Sequence, residues 1–309
     1  MIKLSEISTE NTEKFLEDTH RRMYDMLSDS ERDASYGRII HYCSTEGHLD
    51  NEKIRRLLIG NISDLRDAIV NIGPIEDEND ENVNVKRKFK NLYNNFCNRT
   101  LGKNWAQMLG VTVCPYCNRS YVFTSKRGTR PQYDHYFPKS KYPYLSISMY
   151  NLIPCCSICN GLKRDEDTFN TPFIYPYKDS YGKQVAFEEI GIGGNEIETW
   201  LGAADRYEVK IRYSSDIDAD LKSRIKHAVD TFEIEELYSK HGDYIRDLLR
   251  TAYVYNDDYF EGLLAQYPNL FHNKQEAQNF VFLNYLDEDD WGKRVLAKLT
   301  HDMTKKASE

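Results

Sequence analysis

The chain has 309 residues and a net charge of −8, with a pI of about 5.6. That acidic balance argues against a general nucleic-acid coating protein, and the length leaves room for two or three structural units. No run approaches the ~18 apolar residues of a membrane span and the first residues carry no signal-peptide pattern, so a cytoplasmic protein without a membrane partner is expected.

Residues 1–110 read as a helical N-terminal region, with apolar stripes at Phe15, Leu16, Met23 and Leu27 and again at Ile54, Leu57, Leu58, Leu65 and Ile69. Stripes at helical spacing are core positions. Glu76 to Glu81, after Gly73-Pro74, reads as a solvated acidic loop, and Lys86, Arg87, Lys88 and Lys90 open a helix expected to carry Trp105 toward the next segment.

Residues 111–170 hold the chemistry. Cys114-Pro-Tyr-Cys117 and Cys156-Ser-Ile-Cys159 are two CxxC pairs separated by 38 residues, the arrangement that presents four thiolates to one structural zinc. A thioredoxin-like redox pair and buried free cysteines are the alternatives. Cys155 lacks the i, i+3 spacing to Cys159 and is assigned to packing. Seven cysteines, with Cys43, Cys97 and Cys155 left over, make no even disulfide framework, in keeping with a reducing compartment. Between the pairs, Asn118–Ser125 and Arg130–Phe137 read as a strand, a glycine-containing turn and a strand, and a short helix then bears the second pair.

Within this segment stand Asp134-His135, Asn151 sixteen positions after the histidine, and Asn160 nine further on. Neutral imidazole suits deprotonation of a water, and the Asp134 carboxylate with the Asn160 amide oxygen suits a hard divalent cation. Adjacent strand residues point to opposite faces, so the pair shares a site only where the strand ends or bulges; Pro138 supplies such an ending. A satisfied surface pair is the plain alternative. Between Val111 and Arg164, eight Lys/Arg face one acid, Asp134, which gives this segment +7 and leaves −15 for the rest of a chain carrying −8. Arg119, Lys126, Arg127, Arg130, Lys139 and Lys141 are candidates for phosphate contacts, as is Lys163, three residues after Asn160; a solvated lysine is its alternative.

The order DHxxPKSxYP then NLIPxCxxCNxxK, over about 50 of the 309 residues, resembles the ββα-metal, or HNH (His-Me finger), endonucleases, in the subgroup whose helix carries Asn in place of the last His. The fuller wording DHYFPKSKYP with NLIPCCSICN also looks like the HNH effectors of bacterial anti-phage systems such as Septu and the HNH partners of retrons. The resemblance implies His135 as general base, Asp134 and Asn160 as ligands of one catalytic magnesium or manganese ion, and Asn151 as an orienting residue. It also implies an ABC-type ATPase as partner.

Residues 171–309 read as a mixed connector with short strands, then a helical C-terminal region. Asp165–Asp167 and the Pro/Tyr-rich Thr171–Tyr177 read as connector, with strands at Gln184–Phe187 and Tyr207–Tyr213. Gly191–Gly194 lacks the spacing of a nucleotide loop and reads as a turn between strands. Helices are expected from Ala219 onward, with Leu221, Ile225, Val229 and Phe232 in the first and a frayed tail from Lys305. The 23 tyrosines suit a packed core or a partner surface.

The expected architecture is α+β, a zinc-stapled ββα core between helical flanks. The expected function is metal-dependent hydrolysis of phosphodiesters in DNA, as the effector of an anti-phage system. A zinc-stapled nucleic-acid-binding or adaptor module without catalysis, and an HNH nuclease acting on RNA, are the alternatives.

Overall fold

In the computed structural model, which describes residues 2–29, 36–76, 80–98 and 100–306, Ser8 opens the first helix by accepting from the Asn11 N–H at 3.2 Å. This helix, α1 (Thr9–Ser28), buries Phe15, Thr19, Met23 and Leu27, one residue per turn. After α2 (Gly37–Tyr42) and a small ribbon, β1 (Ser44–Thr45) with β2 (His48–Leu49), Asp50 caps α3 (Asn51–Ile59). The stripe read as one segment from Ile54 to Ile69 is broken at Gly60, where Asn61 and Asp64 form a capping box that starts α4 (Ile62–Ile72). Asp80 and Glu81 lie in helix α5 (Asp80–Asn98), not in a loop, while residues 77–79 of the acidic run lie outside the described residues. Trp105 belongs to a separate helix, α6 (Thr100–Leu109), and its ring stands 4.8 Å from that of Phe15.

These helices share one compact unit, Ser5–Val111 with Val122–Tyr177. The expected hairpin between 118–125 and 130–137 does not form. Its first half makes an isolated bridge, Val113 to Tyr121, and a tight turn in which the Ser125 hydroxyl accepts from the Gly128 and Thr129 N–H groups. The strand β3 (Gln132–His135) instead pairs antiparallel with β4 (Leu152–Cys155), setting Asp134 opposite Ile153 and His135 opposite Leu152. All four β4 residues are buried, and burial of that run outweighs the local turn that joins the other segments. Pro154 is tolerated because a two-stranded ribbon leaves one edge of β4 without need of a donor. Helix α7 (Ser157–Lys163) follows directly, so the order strand, strand, helix holds with different strands.

Tyr175 and Tyr177, read as connector, pack onto this ribbon and donate their hydroxyls to the Tyr150 and Leu152 carbonyls at 2.7 and 2.9 Å. The unit extends to Tyr177 rather than ending near 170, and the chain leaves it after Val111, with the first CxxC pair, and returns at Val122.

The other unit comprises Met1–Leu4, Thr112–Tyr121 and Lys178–Glu309. Its ribbon joins β5 (Val185–Ile192) to β6 (Arg206–Tyr213), with Tyr207 and Val209 buried. Gly191 and Ile192, read as part of a turn between strands, still belong to β5, and Gly193, at φ +79°, turns the chain into the short capped helix α8 (Glu196–Trp200) before β6. Six further helices follow: α9 (Ala219–Thr231), α10 (Ile234–Ser239), α11 (Gly242–Val254), α12 (Asp257–Gln266), α13 (Lys274–Val281) and α14 (Ala297–Lys306). Lys305 and Lys306 are helical, not frayed, and residues 307–309 lie outside the described residues. A buried ion pair, Lys298 to Asp302 at 2.7 Å, ties α14 to β5: the ammonium donates to the Val185 carbonyl and the carboxylate accepts from the Phe187 N–H. Among the described residues no helix is long and apolar enough to cross a membrane.

Candidate metal and catalytic centre

Cys114, Cys117, Cys156 and Cys159 are buried, and their sulfur atoms all lie within 4.8 Å of one another. Four thiolates around zinc at ~2.3 Å stand about 3.8 Å apart, so this group fits a structural zinc. Local backbone prepares both pairs. The Arg119 N–H donates to the Cys117 sulfur and the Cys159 N–H to the Cys156 sulfur, each at 3.4 Å, and Cys156 caps α7. Cys155 is buried in β4 outside the group; burial pushes its thiol far above the usual range, as expected of a packing residue.

Sequence reading missed Asn118, the residue after the first pair. It adopts φ +51°, a left-handed conformation that asparagine tolerates better than most residues, and it is fully buried. Its amide donates to the Trp291 and Arg294 carbonyls at 3.0 and 3.2 Å and accepts from the Lys298 N–H at 3.1 Å. The position directly after a CxxC pair was the available signal.

The strand β3 ends at His135, and the contacts of each candidate catalytic residue place its side chain. Gln132 and Asp134 face α7. There the Asn160 amide donates to Gln132 Oε1 at 2.8 Å, and the Lys163 ammonium lies 3.0 Å from Asp134 Oδ1. Lys163 also donates to the His135 carbonyl at 2.6 Å. It is thus neither a solvated lysine nor placed for phosphate: it is buried, and its charge is balanced by Asp134. The Asn160 amide oxygen retains acceptor capacity, while the Asp134 carboxylate is ion-paired to Lys163.

Tyr133 and His135 face the helices. The Tyr133 hydroxyl donates to the Gly102 carbonyl at 2.6 Å, and the Tyr93 ring meets His135 edge-on at 4.6 Å. His135 Nε2 lies 2.9 Å from the Ser146 carbonyl oxygen, which only accepts, so Nε2 carries the proton and Nδ1 keeps the lone pair. Burial, then the nearby Lys139 charge, hold its pKa well below the ordinary imidazole value, so the ring is neutral at pH 7.

Asn151 is fully buried and closes the loop between the strands. Its side chain accepts from the Phe137 N–H at 2.7 Å and donates to the Phe137 and Leu145 carbonyls at 3.1 and 3.0 Å. That loop carries Ser146, so Asn151 fixes the acceptor that holds His135.

The remaining candidate cations differ in place. Lys139 is exposed, with its ammonium 5.1 Å from the Tyr93 ring centre; desolvation lowers its pKa against the opposing pull of Asp134 and Asp165. Lys141 is ion-paired to Asp167 at 3.1 Å, which balances its charge. Arg119 belongs to the other unit, where its guanidinium lies 5.7 Å from the Tyr238 ring centre.

Over 85 residues, 28% of its length, the chain is 29% identical to the Septu protein PtuB of Bacillus thuringiensis. The match spans 32% of that protein, about a third of its length. No family model matches the chain, and no solved structure does.

Proposed function

We propose that the chain is a metal-dependent endonuclease of the ββα-metal type, cutting phosphodiesters in DNA as part of an anti-phage defence system. The observation that carries the chemistry is His135: a buried, neutral imidazole whose Nε2–H is fixed on the Ser146 carbonyl, leaving Nδ1 as the base. Nδ1 takes a proton from water as the water oxygen attacks phosphorus, and the bond to the leaving sugar oxygen breaks, that oxygen taking its proton from solvent. Asp134 and Asn160 would hold the catalytic ion, which supplies counter-charge to the phosphate and leaving oxygens when bound. Lys163 fixes the backbone of His135 and Asn151 fixes the loop behind it, so both residues position the base. Lys139, beside Tyr93 on the His135 face, is the candidate cation best placed for the substrate backbone.

The defence role rests on the similarity to the Septu protein, and an ATPase partner docking on the flanks outside 111–164 follows from the same reading. A zinc-stapled binding module without catalysis is favoured by one observation, that Asp134 already carries Lys163 as its counter-charge. Plasmid nicking decides between the two. The nuclease reading expects cleavage with magnesium or manganese, none with chelator and none from His135→Ala; equal nicking by that variant removes the assignment. Labelled RNA in a parallel reaction tests the choice of DNA.

A further inference from the structure

A base that takes a proton from water beside a phosphodiester needs an open face, yet His135 is only 4% exposed. On its helical side the cover is one side chain. Tyr93 of α5 sets its ring 4.6 Å from the imidazole at an interplanar angle of 65°, and both residues belong to the same compact unit.

The helix itself is firmly anchored. Val85 and Phe89 are fully buried, the rings of Phe96 and Tyr133 stand 6.1 Å apart, and the Phe89 carbonyl accepts from the Ser146 hydroxyl at 3.4 Å. Ser146 is also the residue whose carbonyl holds His135, so helix and base share an anchor. The Tyr93 side chain is held far less tightly. It is half-buried, and its hydroxyl reaches the Tyr133 carbonyl at 3.4 Å, long for an O–H donor, with the Cys97 thiol as its other partner. Lys139, which is exposed, lays its ammonium 5.1 Å from the centre of the same ring. That charge is also felt by His135 and itself feels Asp134 and Asp165, so one cation joins the cover to the centre beneath it. A cation on an aromatic ring near solvent is weakly held, whereas its bond to a phosphate is charge-assisted. Phosphate therefore outcompetes the ring for Lys139.

We propose that Tyr93 is a gate over His135, latched by Lys139 on its ring and released when a substrate phosphate draws the ammonium away. The proposal rests on the nuclease reading, and it makes Tyr93 a positioning residue: the substrate itself opens the face on which water meets Nδ1.

Two measurements on the full chain test it, one of them without cleavage. Diethyl pyrocarbonate acylates unprotonated imidazole, so peptide mass spectrometry of the labelled protein reads the accessibility of each histidine. His135 should label about tenfold more slowly than exposed His48; Tyr93→Ala should remove most of that difference, and Tyr93→Phe, which keeps the ring, should retain it. Single-turnover plasmid nicking with magnesium is the second measurement. Lys139→Gln should slow it about tenfold in the parent but less than about threefold in a Tyr93→Ala background, where no gate is left to release; a lysine that only contacts phosphate costs the same in both. His135 labelling as fast as His48, no acceleration in Tyr93→Ala, or equal Lys139→Gln losses in the two backgrounds would each overturn the gate. Should Tyr93→Ala fail to fold, Tyr93→Leu replaces it in both measurements. Nicking that depends on His135 but shows equal losses removes the gate and leaves the nuclease reading intact, whereas no nicking by any of these proteins, Tyr93→Ala included, removes both.

Discussion

The ammonium of Lys163 lies 3.0 Å from the carboxylate of Asp134, with the two side chains 0% and 3% exposed. A pair this deeply buried is a poor source of net stability, because desolvation consumes much of the attraction, but removing one partner is costly. Lys163→Met should therefore destabilise its unit by about 3–5 kcal/mol, and Asp134→Asn added to it should recover part of the loss. Urea unfolding of the single and double variants measures this, and a neutral Lys163→Met would show that the pair is not formed in solution.

Much of the site was legible in the sequence because its residues lie close together in one segment with fixed spacings. CxxC pairs declare themselves through i, i+3 geometry, and the four cysteines indeed converge. Strand pairing was less legible. Residues 118–125 look as strand-like as 152–155, and only the complete burial of Leu152–Cys155 selects the partner of β3. Lys163 was misjudged for a related reason: spacing put it near Asn160 on α7, but not that Asp134 would point at it from the strand below. Asn118 carried no periodic signal at all, since its role comes from contacts with residues more than 170 positions away.

His135→Ala should lower the rate of DNA cleavage about 100- to 10,000-fold, the usual worth of a general base, while zinc content and DNA affinity stay unchanged. Single-turnover cleavage beside a filter-binding assay separates the two effects. Loss of affinity in step with loss of rate would indicate that the ring holds substrate instead of activating water.

Purified protein should carry one zinc per chain. Structural zinc contributes roughly 10–16 kcal/mol of apparent binding energy in small peptides, so Cys117→Ser should leave the metal loosely held and lower the unfolding temperature. Elemental analysis after extensive dialysis checks the first point, and calorimetric scanning of parent and variant checks the second. Well-folded parent protein without zinc would show that the four sulfurs are held together by packing alone.

His301 makes stability depend on pH, and the sign follows from its environment. Burial is the largest influence on the ring and holds its folded-state pKa below the ordinary value of 6.5, against the opposing effect of Asp302. As pH falls through about 6.5, the unfolded chain therefore binds a proton that folded His301 does not, and stability decreases until the folded-state pKa is reached. The slope from one such site cannot exceed about 1.4 kcal/mol per pH unit. Partial exposure of the ring makes it smaller, because solvent screens the charge. His301→Gln removes this site, so the variant should lose less stability than the parent between pH 7 and pH 5 when both are unfolded in urea. Parallel losses in the two proteins would mean that His301 takes up its proton as readily in the folded chain as in the unfolded one.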